Sequence, residues 1–235
     1  FRRDRSAWDL KTVVLTSDGA TVGADAGTYP IVPSGAQGQG LTGVTITYAN
    51  GILTVTPAPL TITADNQDLP YGAVDLGTTG FTAEGLVPGD VVSAVQLASD
   101  GAAPGAGLGA YGITPSEATG EGLIGSQGVA NYTITYVDGT LSVVPAALTV
   151  IADDRQKVYG DADFVLGATA FTVEGLVEGD SVGSVLLDSE GAAQTAPVDS
   201  YAIAASEATG TGLENYAISY AGGLLSVTPA PLTIT

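Results

Sequence analysis

The sequence predicts an all-β chain of small tandem domains, and three observations carry that reading. The segment Thr56-Pro-Ala-Pro-Leu-Thr-Ile-Thr63 returns letter for letter as Thr228-Pro-Ala-Pro-Leu-Thr-Ile-Thr235, with a looser copy, Val144-Pro-Ala-Ala-Leu-Thr-Val150, between them. Thirty-three glycines and 12 prolines are spread along 235 residues, which punctuates the chain into short strands and interrupts any helical period. Large residues alternate with threonine in Tyr132-Thr-Ile-Thr-Tyr136, the two-residue period of a half-buried strand.

The leucines Leu60, Leu148 and Leu232 set periods of 88 and 84 residues, too long for a solenoid repeat and suited to a small independent domain. Other landmarks keep the same order. Tyr71-Gly72 matches Tyr159-Gly160, Gly85-Leu-Val-Pro-Gly-Asp90 matches Gly175-Leu-Val-Glu-Gly-Asp180, and Ser116-Glu-Ala-Thr-Gly120 recurs as Ser206-Glu-Ala-Thr-Gly210. Asn131-Tyr132 then answers to Asn215-Tyr216. The spacing falls from 90 to 84 between the last two landmarks, which places a loop of variable length there.

Residues 1–58 form a partial unit. Leu15-Thr-Ser-Asp-Gly19 aligns with Leu97-Ala-Ser-Asp-Gly101, but the Leu-Thr-Ile-Thr strand, the Tyr-Gly pair and the Gly-Leu turn have no counterpart before it. Residues 59–146 and 147–230 are complete units, and residues 231–235 repeat the opening strand of a unit. That strand, Leu232, Thr233, Ile234 and Thr235, is a candidate donor for the incomplete first unit, pairing beside Val13, Val14 and Leu15 or their neighbours, because an open sheet edge accepts an added strand.

Strands are expected at Leu60–Thr63, Ser93–Ala98, Tyr111–Thr114, Leu148–Ile151, Gly183–Leu187 and Tyr201–Ala204, with a tight turn or one helical turn at Gly85–Asp90 and Gly175–Asp180. Asp138-Gly139, Asn50-Gly51 and Gly222-Gly223 each follow an alternating run and read as type I′ turns of β-hairpins. Each complete unit is therefore expected to be a two-layer domain of short antiparallel strands resembling an immunoglobulin-like sandwich. A β-grasp is the alternative, and a helix beyond about 11 residues would favour it. Prolines at Pro57, Pro59 and Pro145 interrupt strand pairing and leave short, stiff junctions, so the units are expected to stack as a semi-rigid rod.

Composition narrows the function classes. Twenty-five acidic residues against six basic give a formal charge of −19, which disfavours phosphate backbones and anionic lipid. Nucleic-acid binding is not expected, and no apolar run approaches the roughly 18 residues of a membrane span. Cysteine, histidine and methionine are absent, so there is no disulfide framework, no thiolate metal site and no histidine base. A cysteine-free repeat array suits an extracellular location.

The ordered set Leu-Thr-Ile-Thr-Ala-Asp, Tyr-Gly, Gly-Leu-x-x-Gly-Asp, Tyr-x-Ile, Asn-Tyr-x-Ile-x-Tyr, Gly-x-Leu-x-Val and Pro-Ala-x-Leu-Thr resembles the bacterial MBG domain of the Tyr-Gly-x type over residues 12–235. The first unit departs from it, with Gly43-Val44 in place of Asn-Tyr. The resemblance implies tandem extracellular modules of large secreted, filamentous-haemagglutinin-like surface adhesins, with a stalk or spacer role and no catalytic residues. Its expected partners are neighbouring units, other copies joined head to tail into a filament as the alternative, and a surface receptor contacted by other domains.

Candidate sites are few, and each has a structural counterpart. Asp153, Asp154, Asp161 and Asp163 offer hard oxygen ligands for Ca²⁺, but the corresponding residues of the second unit are only Asp65, Asp68 and Asp75. No other cofactor is expected. Tyr71-Gly72 and Tyr159-Gly160 fit either a carbohydrate platform or a strand anchor in the core. Glu84 with Asp90 and Glu174 with Asp180 have the residue types of a glycosidase pair, yet their recurrence in adjacent units favours a capping role. The sequon Asn131-Tyr-Thr133 falls on a core strand, where a glycan would obstruct packing.

Overall fold

The structure, a computed structural model, describes residues 8–126 and 128–234. The first repeat contributes β1 (Asp9–Thr16), β2 (Gly27–Gln39) and β3 (Gly51–Val55). The second contributes β4 (Ala58–Ala64), β5 (Gln67–Pro70), β6 (Phe81–Glu84), β7 (Val91–Ala98), β8 (Gly109–Glu121), β9 (Tyr132–Val137) and β10 (Gly139–Val144). The third contributes β11 (Ala146–Ala152), β12 (Arg155–Val158), β13 (Phe171–Glu174), β14 (Ser181–Asp188), β15 (Ser200–Thr211), β16 (Tyr216–Ala221) and β17 (Gly223–Thr228). Helical geometry among the described residues is confined to 3₁₀ turns of three residues. The chain is thus an all-β array of small domains, and the helix that would mark a β-grasp is absent among the described residues.

The chain divides into two compact units. One holds the described residues up to Asp65, those of Leu76–Ala98 and those of Ile113–Gly139; the other holds Asn66–Asp75, Ser99–Gly112 and the described residues from Thr140 onward. In the first, Leu60, Ile62, Val92, Val95, Leu123 and Tyr132 form a buried cluster that joins the sheet β6-β4-β9 to the β7–β8 pair. In the second, Ala152, Leu166, Ile203 and Leu225 form a buried cluster at a different place in the repeat.

The third repeat, which lies wholly in the second unit, shows the topology. One sheet has the order β13-β11-β16 and the other the order β12-β17-β15-β14. Along β11 the side chains of Leu148, Val150 and Ala152 point inward while Ala147 is exposed, so the alternation read from the sequence buries one face. Leu148, Val150, Ile203 and Leu225 are completely buried, each a burial of about 1.5–3 kcal/mol relative to exposure.

The hairpins expected at Asp138-Gly139, Asn50-Gly51 and Gly222-Gly223 do not form. β16 and β17 belong to different sheets, as do β9 and β10, so the glycine pair is a corner at which the chain passes between layers. Neither Gly139 nor Gly222 nor Gly223 has the positive φ that a type I′ turn demands. Glycine is needed at the corner for a different reason, since a Cβ on Gly223 would lie 2.6 Å from the Ala152 carbonyl oxygen and 2.9 Å from that of Asp153. In the first repeat residues 44–50 carry no strand, and β3 pairs with β2 instead.

The expectation of purely antiparallel strands also fails. β11 pairs in parallel with β16, and β12 in parallel with β17. Both strands of the pair turn the same corner, and the chain between them supplies the long crossover that parallel pairing requires. Asp154 Oδ1 accepts the Leu224 amide at 2.7 Å in the gap between the two ladders. Asn66 does the same for Thr140 at 2.8 Å in the second repeat. A side-chain acceptor therefore continues the ladder where the backbone turns away.

The Ser-Glu-Ala-Thr-Gly landmark is a β-bulge. Glu117 and Glu207 have φ of 48° and 47°, and Gly35 takes the same place in the first repeat at 57°. The register slips there in all three β1–β2, β7–β8 and β14–β15 pairs.

Candidate functional site

The ten tyrosines fall into four structural positions, and these show what the recurring landmarks do. Tyr29, Tyr111 and Tyr201 each donate a hydroxyl hydrogen bond to the carbonyl four residues earlier, at 2.8, 2.9 and 3.0 Å. Their rings lie on Gly19, Gly101 and Gly191, where a Cβ would meet the ring at 2.5 Å, which explains the glycine of the Ser-(Asp/Glu)-Gly landmark. Tyr48, Tyr136 and Tyr220 each accept the amide freed by the bulge, from Ala36, Ala118 and Ala208, all at 2.9 Å.

The third position is the tyrosine of Asn-Tyr. Tyr132 donates to Asp90 Oδ2 at 2.5 Å and accepts the Val87 amide at 2.8 Å. Tyr216 repeats this with Asp180 Oδ2 at 2.7 Å and the Val177 amide at 2.9 Å. Burial, and then the hydrogen bond to Asp180, push the Tyr216 hydroxyl up to about 12; burial and Asp90 raise Tyr132 in the same direction. Asp90 and Asp180 thus tie the Gly-Leu-Val turn through a phenol to β9 and β16, the strands that Tyr132 and Tyr216 open. Glu84 sits on β6 opposite Thr61 and Glu174 on β13 opposite Thr149, each exposed.

The fourth position joins one repeat to the next. In the second compact unit the ring of Tyr71 stands edge-on to that of Tyr216, with centroids 5.5 Å apart and planes at 78°. Tyr71 is 8% exposed. Burial, followed by a hydrogen bond to Asp180, raises its hydroxyl above the ordinary value, against a weaker opposing bond with Asn215. Gly72, at φ 83°, packs on Val177 so closely that a Cβ would lie 2.5 Å from a methyl group. Tyr71-Gly72 is therefore neither a sugar platform nor an anchor in its own repeat's core; it seats on the Gly-Leu-Val turn and Asn-Tyr pair of the next one.

The first and second repeats meet through the same surface inside the first compact unit, with different residues. Asn131 Nδ2 donates to Asp25 Oδ1 at 2.9 Å and to the Gly122 carbonyl at 2.9 Å, while its Oδ1 accepts the Ala26 amide at 2.7 Å. Asp25 Oδ2 accepts both the hydroxyl and the amide of Ser126, at 2.7 and 2.8 Å. These bonds, the Ser126 pair first, hold the Asp25 carboxyl at about 2. A cavity of about 310 Å³ remains there, lined by Asp25, Val87, Pro88, Asp90, Asn131 and Tyr132 among others. With every polar atom of its side chain bonded, Asn131 has no free amide for the sequon to use.

The four Ca²⁺ candidates do not converge. Asp154 holds the Leu224 amide, Asp161 Oδ2 accepts the Val158 amide at 3.2 Å, and Asp163 Oδ1 accepts the Gln194 amide at 2.8 Å. Asp153 bonds through its backbone to the Ala170 carbonyl. Among the described residues no three acidic side chains are grouped to hold a metal ion. Leu232 and Ile234, of the candidate donor strand, are 85% and 88% exposed, Thr233 is exposed beside them, and Thr235 lies outside the described residues. No helix of the described residues is long and apolar enough to cross a membrane.

The junction role of Asn215 and Val177 was not legible in sequence, because both read as landmarks within one repeat. The signal available was that the Tyr-Gly pair, the Gly-Leu-Val turn and the Asn-Tyr pair are present or absent together. No curated protein matches the chain. The family model for the MBG domain (YGX type) matches twice in tandem, over residues 60–142 and 148–226. The chain belongs to the MBG domain family of the YGX type.

Proposed function

We propose that this chain is a non-catalytic stalk or spacer array of a secreted bacterial surface adhesin, lying outside the cell, with receptor recognition performed by other domains. The observation that carries the reading is the Tyr71 junction, where the recurring side chains fasten consecutive repeats together. The carboxylates best suited to catalysis, Asp90 and Asp180, are held by tyrosine hydroxyls in the same way in both complete repeats, which supports a structural and not a chemical task. Two measurements test it. Small-angle scattering on arrays of increasing length should give a maximum dimension that grows by a constant step per repeat, and antibodies to the chain should label intact cells. Side-by-side collapse of the repeats, or labelling only after lysis, would overturn the spacer reading.

A second reading, a filament subunit joined head to tail, is favoured by one observation. The first repeat exposes an apolar groove of about 380 Å³ lined by Trp8, Leu10, Val13, Ile46 and Tyr48 among others. In the second repeat the matching strand is covered, with Leu60 beside Ile134 and Ile62 beside Tyr136 in a parallel ladder. Leu232 and Ile234 of another copy would take those places beside Ile46 and Tyr48, so that of the acceptors the sequence allowed, Val13–Leu15 or their first-unit neighbours, this reading takes the neighbouring residues 45–48. Deleting residues 232–235 should abolish concentration-dependent polymers in sedimentation velocity. Polymers that persist, or a chain monomeric both with and without the segment, would overturn this reading.

A further inference from the structure

We propose that Tyr159-Gly160 is a preformed docking surface for a further repeat of the same kind. The receiving face would be that repeat's Gly-Leu-Val turn and Asn-Tyr pair. The inference is independent of cellular location and of any receptor.

Two copies of one motif share a backbone and differ in their surroundings. The Tyr71 amide donates to the Val144 carbonyl at 2.9 Å, and the Tyr159 amide to the Thr228 carbonyl at 2.8 Å. Gly72 has φ 83° and Gly160 φ 87°. The backbone of the motif is therefore held in one conformation in both repeats. Its surroundings differ: Tyr71 is 8% exposed against Tyr216, whereas Tyr159 is 47% exposed. A Cβ on Gly72 would collide with Val177, whereas one on Gly160 would meet nothing within 4 Å. Glycine at 160 leaves its surface open to close approach, the feature that Val177 uses at 72.

The receiving face is also preformed. On the second repeat, Val87, Asp90 and Tyr132 keep the arrangement of Val177, Asp180 and Tyr216, although the first repeat presents Asp25 there and no tyrosine. The 310 Å³ cavity beside them remains open. Because the tyrosine hydroxyl is anchored by its own turn, the socket does not depend on its guest. Docking a rigid knob into a rigid socket orders few side chains, so the cost of association is small.

The test extends the chain by joining Ala152–Ala230 directly after Thr235, so that Leu232-Thr-Ile-Thr235 serves as the opening strand of an added repeat. Gly160→Cys is combined with cysteine at the added repeat's counterpart of Val177, and the chain otherwise contains no cysteine. The control is Gly72→Cys with Val177→Cys in the unextended chain, which carries the same positive-φ strain. The proposal expects the two pairs to close to disulfides to a similar extent within the monomer. Free thiols at 160 while the control closes, or an added repeat that folds without contacting residue 160, would overturn it. A second reading avoids the glycine. Tyr159→Ala should lower the unfolding midpoint of the extended chain by several degrees and leave the unextended chain within about one degree. Equal effects in both chains would count against docking.

Discussion

Asp154 holds the Leu224 amide at 2.7 Å at the point where β11 gives way to β12 and β16 to β17, bridging residues 70 apart in sequence. Its carboxylate replaces a backbone carbonyl that has turned toward the other sheet. The second repeat uses Asn66 at the same place, so the position requires an acceptor and not a charge. Asp154→Asn should leave urea stability nearly unchanged, and Asp154→Ala should lower it by about 0.5–1.5 kcal/mol. Equal loss in both variants would show that charge, and not acceptor geometry, matters there.

The acid end of the stability profile is assigned to the first junction. Asp25 has its folded value at about 2, below the ordinary 3.8, because Ser126 and Asn131 donate to the ionised form. Its contribution is therefore fully present above about pH 4 and is lost as pH falls from there through about 2. Carbon-13 titration of the Asp25 carboxyl should show a midpoint near 2, and Ser126→Ala should raise it. An unshifted midpoint would mean that the Asp25 contacts do not persist in solution.

How much of this was legible depends on period and on distance. The strands Leu60–Thr63 and Leu148–Ile151 were legible because alternation with one buried face leaves a two-residue signature, as Leu148 and Val150 show. The Asp138-Gly139 and Gly222-Gly223 pairs misled because turn chemistry records that the chain must change direction and permits close approach. It does not record whether the next strand pairs with the last or crosses to another layer. The parallel β11–β16 and β12–β17 pairs depend on partners about 70 residues away, which no local pattern encodes. At the junction, Tyr71 and Val177 stand 106 residues apart in sequence, and a single chain read locally assigns each to its own repeat.

The alkaline end is assigned to the buried phenols. Tyr216 has its hydroxyl raised from 10 to about 12, with burial the first cause. The neutral form is the one the fold favours, so this contribution is complete below pH 10 and disappears as pH rises from 10 to about 12. Absorbance titration near 295 nm should show a late class that includes Tyr216, and unfolding should accompany that class. Titration of all ten tyrosines in one step near 10, with the fold intact, would contradict the arrangement.

The junction and the interior of each repeat are separable at Tyr216. Tyr216 is raised first by burial, and part of that cover is the Tyr71 ring set edge-on against it; Tyr132 occupies the same position in the second repeat with no tyrosine over it. Tyr71→Ala should uncover Tyr216 while sparing its bonds to Asp180 and the Val177 amide, which lie within the third repeat. The Tyr216 titration should then fall from about 12 back toward 10, and Tyr132 should stay where it is. Tyr71→Phe keeps the ring and removes only the hydroxyl, so it should preserve most of the shift. A Tyr216 value unmoved by Tyr71→Ala would place its burial wholly within its own repeat, and the Tyr-Gly pair would no longer account for how consecutive repeats are held.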